Sequence, residues 1–283
     1  MKYIEKTILK EIYKKRDLWA RKHDFGNLLI IGGSRLYPTT PILSALSAYR
    51  SGVDWVTIAA PEEACKIIAS YSPNLMVHPL EGEYLTKKHV DELIELTNKR
   101  SAISIGGGMT RESSVLGAIV EFLERIDKPC VIDDDAIYAV ARKKRVLRDK
   151  KFVILPHSFE FYILSGIKVS TNLKERINAI ERVASQLKTT ILLKGHIDVI
   201  SDGKETRLNK TGSAYMTKQG FGNTLAGICA AILARNINPF ISACAAAYIN
   251  GKAGELTAKK YHEGMLPTDL IEHIPIVIKE GLK

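Results

Sequence analysis

Asn27-Leu28-Leu29-Ile30-Ile31-Gly32-Gly33-Ser34-Arg35-Leu36-Tyr37-Pro38-Thr39-Thr40-Pro41 sets a short apolar run against a glycine turn. A helix-length amphipathic stretch, Pro41 to Arg50, follows, and then a second β-rich run, Val53 to Ala59. Strand, turn, helix and strand in that order make a βαβ unit, whose two strands lie parallel. The alternation continues along the chain. Further strands are expected at Ala102 to Ile105, Cys130 to Ile132, Phe152 to Leu155 and Ile191 to Leu193. Between them the spacing of apolar residues predicts helices over Glu62 to Ser70, Lys87 to Lys99, Ser113 to Arg125 and Leu173 to Leu187. Ile197 to Ile200 and Glu205 to Leu208, joined by Ser-Asp-Gly-Lys, read as a hairpin that ends the sheet in antiparallel fashion. Helices over Asn223 to Arg235, Pro239 to Lys260 and Thr268 to Lys279 close the chain. At the other end, Ile4, Ile8, Leu9 and Ile12 recur a helical turn apart and predict an amphipathic helix over residues 4 to 20. The fold class expected is a three-layer α/β/α domain spanning residues 1–283, with a mostly parallel sheet and residues 1–22 packed on it as an N-terminal helix.

Composition narrows the function. Of 283 residues, 46% are apolar and 25% charged, the balance of a globular protein. The longest apolar runs are about ten residues, half of what a membrane span requires, and the charged N-terminus has no secretory pattern, so a cytoplasmic protein without a membrane partner is expected. Cys65, Cys130, Cys229 and Cys244 lie far apart with no C-x-x-C pair, which excludes a zinc framework and suits free buried thiols. Lys and Arg exceed Asp and Glu by 41 to 31, a net charge of +10 that favours anionic ligands. The basic runs at Lys10 to Lys22 and Arg142 to Lys151 are interleaved with apolar residues and read as solvated faces; no basic stripe with stacking aromatics points to nucleic acid.

In a sheet of this kind ligands sit beyond the carboxyl ends of the strands, so the residues just after each apolar run carry the information. Gly32-Gly33 and Gly106-Gly107-Gly108 both follow strands directly, where glycine permits close backbone approach to an anion; either turn alone is equally well structural. Asp133-Asp134-Asp135 ends a strand in carboxylates that either cap the next helix or, through Asp133 and Asp135, hold Mg²⁺ by way of water. Pro156-His157 with Glu160 puts an imidazole at a strand end, for a substrate contact or for local structure. Lys194-Gly195 supplies a cation and a close-approach glycine. The densest signal is Gly220-Phe221-Gly222-Asn223 opening the apolar helix that includes Leu225 to Ala234, where free amides and the positive helix end would make an anion hole for a transferring phosphoryl group. Its bland alternative is Asn223 as a plain N-cap.

Taken in order and spacing, Gly-Gly-Ser-x-x-Tyr, Gly-x-Gly, Ile-Asp-x-Asp, Pro-His-x-x-Glu, Leu-Lys-Gly and Gly-x-Gly-x-x-Leu-Ala-Gly resemble the ribokinase-like NAD(P)H-hydrate dehydratases from about Arg21 to Ile278. The resemblance implies a ribokinase-like fold and a reaction in which ADP or ATP, with Mg²⁺, phosphorylates the hydroxyl of hydrated NADH or NADPH, after which phosphate leaves. It implies that Lys194, Gly195 and Gly222 contact the adenine nucleotide, that Thr40, Gly108, His157 and Asn223 face the hydrated dinucleotide, that Gly220, Gly222 and Asn223 form the reacting turn, and that the protein is a homo-oligomer such as a tetramer.

The departures bear on activity. The family's Gly-Thr-Gly-Asp is Gly220-Phe221-Gly222-Asn223 here, its Gly-Ala before Pro41 is Thr39-Thr40, and its Thr before Pro156 is Leu155. A neutral amide has no useful basicity, and losing a general base costs about 10²- to 10⁴-fold in rate. That leaves open a slow dehydratase, a paralogue with another base or another hydroxyl substrate (a small-molecule kinase among them), and a nucleotide sensor without turnover.

Overall fold

The computed structural model describes residues 2–283. Its strands are β1 (Lys2–Tyr3), β2 (Asn27–Ile31), β3 (Trp55–Pro61), β4 (Met76–Leu80), β5 (Ala102–Ile105), β6 (Cys130–Ile132), β7 (Phe152–Ile154), β8 (Thr190–Leu193), β9 (Asp198–Ser201) and β10 (Thr206–Asn209). Interleaved with them run α1 (Ile8–Ile12), α2 (Thr40–Arg50), α3 (Glu62–Tyr71), α4 (Val90–Thr97), α5 (Ser113–Arg125), α6 (Asp135–Arg142), α7 (Ser158–Ser165) and α8 (Leu173–Leu187). The chain closes with α9 (Phe221–Ala234), α10 (Pro239–Tyr261) and α11 (Pro267–Gly281).

All the strands join one sheet in the order β1-β10-β9-β8-β7-β6-β5-β2-β3-β4. The pairing is parallel except along β9, which runs antiparallel to both β8 and β10. The expected terminal hairpin is therefore present, and β1 extends it by pairing parallel to β10. The central strands β2, β5, β6 and β7 are buried at every position, as strands covered by helices on both faces must be. On one face Leu28, Ile30, Val131, Val153 and Leu192 pack against the group that includes α2, α9, α10 and α11; on the other Leu29, Ile103, Ile132 and Ile154 pack against the group that includes α4, α5, α6 and α8. Alternation of side chains along each strand is what splits the core into these two layers.

Three expectations need correction. The helix over residues 4 to 20 is only α1, because apolar spacing stops at Ile12 and the segment that follows leaves Leu18 98% and Trp19 89% exposed. β4 was not anticipated: Pro79 and His78 disguise a sheet-edge strand, the one place where a missing amide is tolerated. Nor was α7, whose Ser-Phe-Glu-Phe-Tyr-Ile-Leu-Ser run has little amphipathic periodicity to read.

The α2–α9 contact positions the site. At Gly227 a β-carbon would overlap the Ser44 carbonyl oxygen, so only glycine lets the two backbones close on one another. Ser44 Oγ then donates to the carbonyl of Asn223 at 3.0 Å, tying the first turn of α9 to the helix that begins at Thr40.

Candidate active site

The turns that leave β2 and β5 are stitched together. Gly33 N donates to the Gly107 carbonyl at 2.8 Å, and a β-carbon at Gly32 would stand 2.7 Å from that same oxygen. Gly106, at φ +135°, leaves no room for a side chain because a β-carbon there would overlap the carbonyl oxygen of Asp133. These two turns and the end of β6 therefore form one continuous floor. Onto it converge Thr40, Gly108 and Asn223. A β-carbon on Gly107 would lie 3.0 Å from Asn223 Nδ2 and 3.1 Å from Thr40 Cγ2, and one on Gly108 would lie 2.7 Å from Thr40 Oγ1. Asn223 is not an N-cap: Gly220, in the left-handed region at φ +105°, holds that position, and Asn223 sits in the third place of α9 with its side chain turned into the fold. None of the described residues hydrogen-bonds its amide group, although it is only 9% exposed.

A charged network lies beside this floor. Lys194, just past β8, places Nζ 2.9 Å from Asp133 Oδ1 and 3.7 Å from Glu160 Oε2. Burial disfavours its ammonium, but Asp133 and Glu160 outweigh that and hold its pKa above the ordinary lysine value. Burial also pushes the Glu160 carboxyl up, against the opposing pull of Lys194. Glu160 Oε2 accepts the His157 amide at 2.8 Å, and His157 Nδ1 accepts the amides of Phe159 and Glu160 at 3.1 and 3.2 Å. This capping box starts α7 and fixes the tautomer: Nδ1 is an acceptor, so Nε2 carries the hydrogen, 3.2 Å from Glu160 Oε1. Burial, then Lys194, lowers the imidazole pKa. His157 thus has a structural duty through its nitrogens while about half of the side chain stays open to solvent.

The residues expected to face the nucleotide border a cavity of about 590 Å³. Lys194, Gly195 and Gly222 line it with Phe221, Lys210 and Asn250. The first amides of α9 have no intrahelical acceptor, and Phe221 and Gly222 of that turn line the cavity. Gly222 is the partition: a β-carbon there would stand 3.6 Å from Lys194 Nζ and 3.8 Å from Asp133 Oδ2. A second, small cavity of about 10 Å³, room for roughly one water, lies under the glycine turns, lined by Gly32, Gly106, Gly107, Asp133 and Asn223 together with buried residues such as Ile30 and Ser104.

The expectation that Asp133 and Asp135 hold Mg²⁺ does not fit this arrangement. Asp135 Oδ1 accepts from Arg111 Nε and Oδ2 from the Thr110 amide, both at 2.8 Å, and Asp133 is paired with Lys194. Among the described residues no group of three or more His, Cys, Asp and Glu side chains could hold a metal. Several residues that shape the site carry no motif in the sequence. Asp198 accepts the Gly195 amide and Asn209 Nδ2, both at 3.0 Å, with its pKa raised by burial to about 6. Arg176 donates to the Lys194 carbonyl at 2.9 Å and to Ser158 at 3.0 Å. Only the placement of a charge among the buried residues Ile177, Ile180 and Val183 of α8 hinted at Arg176.

Comparison with known proteins gives this site a family. The Carb_kinase model, described as NAD(P)H-hydrate dehydratase, matches residues 28–276. The chain belongs to the NAD(P)H-hydrate dehydratase family. It is 36% identical over 280 residues to the ADP-dependent (S)-NAD(P)H-hydrate dehydratase of Nitrosopumilus maritimus, covering 98% of this chain and 97% of that one. It is 38% identical over 267 residues to the bifunctional NAD(P)H-hydrate repair enzyme Nnr of Methanothermobacter thermautotrophicus, covering 93% of this chain and 51% of that one. The chain thus spans about half the length of the first curated relatives it matches. The ADP/ATP-dependent NAD(P)H-hydrate dehydratase of Bacillus subtilis, co-crystallised with ATP and Mg²⁺, superposes with a TM-score of 0.86 at 26% identity, covering 99% of this chain and 98% of that one. The three-layer architecture expected from the sequence is the ribokinase-like fold of these dehydratases.

Proposed function

We propose that this protein uses ADP or ATP to return hydrated NADH or NADPH to the reduced dinucleotide. The observation that carries this reading is the partition at Gly222: a cavity large enough for a nucleotide on the Lys194 side, and the Thr40–Gly108–Asn223 floor on the other, with the first amides of α9 between them. A phosphoryl group held at that partition is within reach of both ligands.

Lys194 and the α9 amides would bind the terminal phosphates, Gly195 and Gly222 would let them approach closely, and Gly220 sets the turn. Thr40, Gly108, His157 and Asn223 would orient the hydrated ring so that its hydroxyl faces phosphorus. The hydroxyl oxygen forms the new P–O bond as the bond to the leaving nucleotide breaks; the C–O bond then breaks, phosphate departs and loss of a ring proton restores the double bond. Catalysis of this kind is positioning and charge stabilisation. Mg²⁺ neutralises phosphate charge in such reactions; among the described residues the acidic side chains do not form a cage for it.

The test is to supply hydrated NADH or NADPH with ADP or ATP and Mg²⁺ and to follow the nicotinamide absorbance. Recovery of absorbance is expected; folded protein that gives none overturns the reading. Asn223 motivates a second reading, a nucleotide sensor, which instead predicts thermal stabilisation by nucleotide with no product. A stable phosphorylated product would mark a small-molecule kinase.

A further inference from the structure

Phosphorylating a hydroxyl requires a group to accept its proton, and Asn223, the side chain on the substrate floor nearest the α9 amides, cannot do so. The carboxylates around the floor can be sorted by what each oxygen already does. Asp135 accepts from Arg111 through one oxygen and from the Thr110 amide through the other. Glu160 accepts the His157 amide through Oε2, and its Oε1 faces the His157 ring. Asp198 accepts from Gly195 and Asn209. Asp134 takes the backbone amide of Gly108. Asp133 has a free oxygen on the Gly222 side: Oδ1 pairs with Lys194, whereas Oδ2 meets no donor among the described residues and lies beside Gly222. Asp133 and Asn223 are also near neighbours, both lining the small cavity under the glycine turns.

We propose that Asp133 is the proton acceptor of the phosphoryl transfer, acting with Asn223 on one substrate hydroxyl. Asn223 fixes the hydroxyl by hydrogen bonding through its unpartnered amide. Oδ2 of Asp133 takes the proton as the oxygen forms its bond to phosphorus and the nucleotide leaves. Lys194 links the two halves of the step. Without nucleotide its Nζ pairs with Asp133 at 2.9 Å; a phosphate competing for the same ammonium loosens that pair and frees the carboxylate to meet the hydroxyl when there is something to transfer. The titratable groups facing Asp133 are Lys194 at the end of β8, His157 and Glu160 at the start of α7, Asp134 and Asp135 of its own turn, and the buried Cys229 of α9, which also presents the neutral Asn223. This inference rests on the dehydratase reading above.

The experiment measures turnover of hydrated NADPH with saturating ADP and Mg²⁺, and thermal stabilisation by ADP alone, on wild type, Asp133→Asn, Asp133→Glu and the exchange variant Asp133→Asn/Asn223→Asp. Asp133→Asn is expected to lose about 10²- to 10⁴-fold in kcat and to keep its stabilisation by ADP. Asp133→Glu, which keeps the charge beside Lys194 but moves the oxygens, should lose at least about tenfold. The exchange variant should regain at least about tenfold over Asp133→Asn, because a carboxylate then reaches the same hydroxyl from the other side. Near wild-type turnover in Asp133→Asn, or in Asp133→Glu should the first variant not fold, overturns the assignment while leaving the dehydratase reading intact. So does an exchange variant with no recovery. Wild type that binds ADP yet never turns over overturns the dehydratase reading and the assignment with it.

Discussion

Two glycines of the site fail for opposite reasons. At Gly106 a β-carbon would overlap the carbonyl of Asp133 and would also have to adopt φ +135°. Gly106→Ala should therefore cost several kcal/mol, on the scale of combined overpacking and backbone strain, and show as a large fall in the denaturant midpoint. At Gly222 the same methyl meets Lys194 Nζ at 3.6 Å and Asp133 Oδ2 at 3.8 Å, which are ordinary contacts, and φ is unstrained. Gly222→Ala should hold or raise the melting temperature, since alanine is the better helix former by up to about 1 kcal/mol, while filling the approach to the α9 amides. ADP affinity, read by calorimetry, should drop at least about tenfold. A drop in stability without loss of affinity would mean that phosphate does not pass Gly222.

A third residue carries a pH signature. Burial, then Asp133 and Asp135, pushes the Asp134 carboxyl up to about 6. Between its ordinary value and that one the unfolded chain has released this proton and the folded chain still holds it. The stability it contributes is thus present at low pH and lost as pH rises from about 4 through 6, on the order of 2 kcal/mol. Asp134→Asn removes the titrating proton while keeping a side chain of the same shape at φ +49°, ψ −124°, and should flatten that part of the melting-temperature profile. An unchanged profile would place the titration elsewhere.

At the scale of elements, the α2–α9 pair controls the site because each helix delivers one of its residues, Thr40 at the start of α2 and Asn223 in the first turn of α9. Gly227→Ala would set a methyl against the Ser44 carbonyl and Ser47 hydroxyl, forcing the helices apart. The expected cost is about 3 kcal/mol, with loss of turnover exceeding loss of ADP affinity, because the Lys194 side of the cavity rests on β8 and not on α2. The same scale shows what the sequence discloses. Strands β2 and β8 hold the apolar runs Leu28 to Ile31 and Ile191 to Leu193, and β5 is apolar but for Ser104; each is ended by Gly or Lys, so both element and strand-end loop can be read directly. β4 and α7 lack any period, and α1 ends early because past Tyr13 the chain runs along the surface, leaving Leu18 and Trp19 exposed. Gly32, Gly108, His157, Lys194 and Gly222 announce themselves by following strands or opening a helix. Arg176, Asp198 and Asn250 do not, because their neighbours at the site lie on other elements and only the fold brings them there.

Across the whole molecule, the account depends on turns distant in sequence meeting at one end of one sheet. The chain brings Gly32, Gly108, Asp133, His157 and Lys194 there from five successive neighbours in the strand order, β2, β5, β6, β7 and β8, and α9 closes the gap above them. No single local contact could reveal that arrangement, whereas a polyanion that needs several of the turns at once can. An excess of ten positive charges biases the surface toward such a ligand without choosing where it binds. Lys194→Met should therefore lower ADP affinity far more than a substitution at an exposed lysine such as Lys66, and the difference should survive raised salt, since partly buried pairs are screened less.

The most direct measurement is a crystal of the protein soaked with ADP or ATP. Density for the terminal phosphates between Lys194 and the Gly220–Asn223 turn, with the rest of the nucleotide in the adjoining cavity of about 590 Å³, is the predicted result. Nucleotide bound on another face, or an empty cleft in crystals whose protein binds ADP in solution, would contradict it.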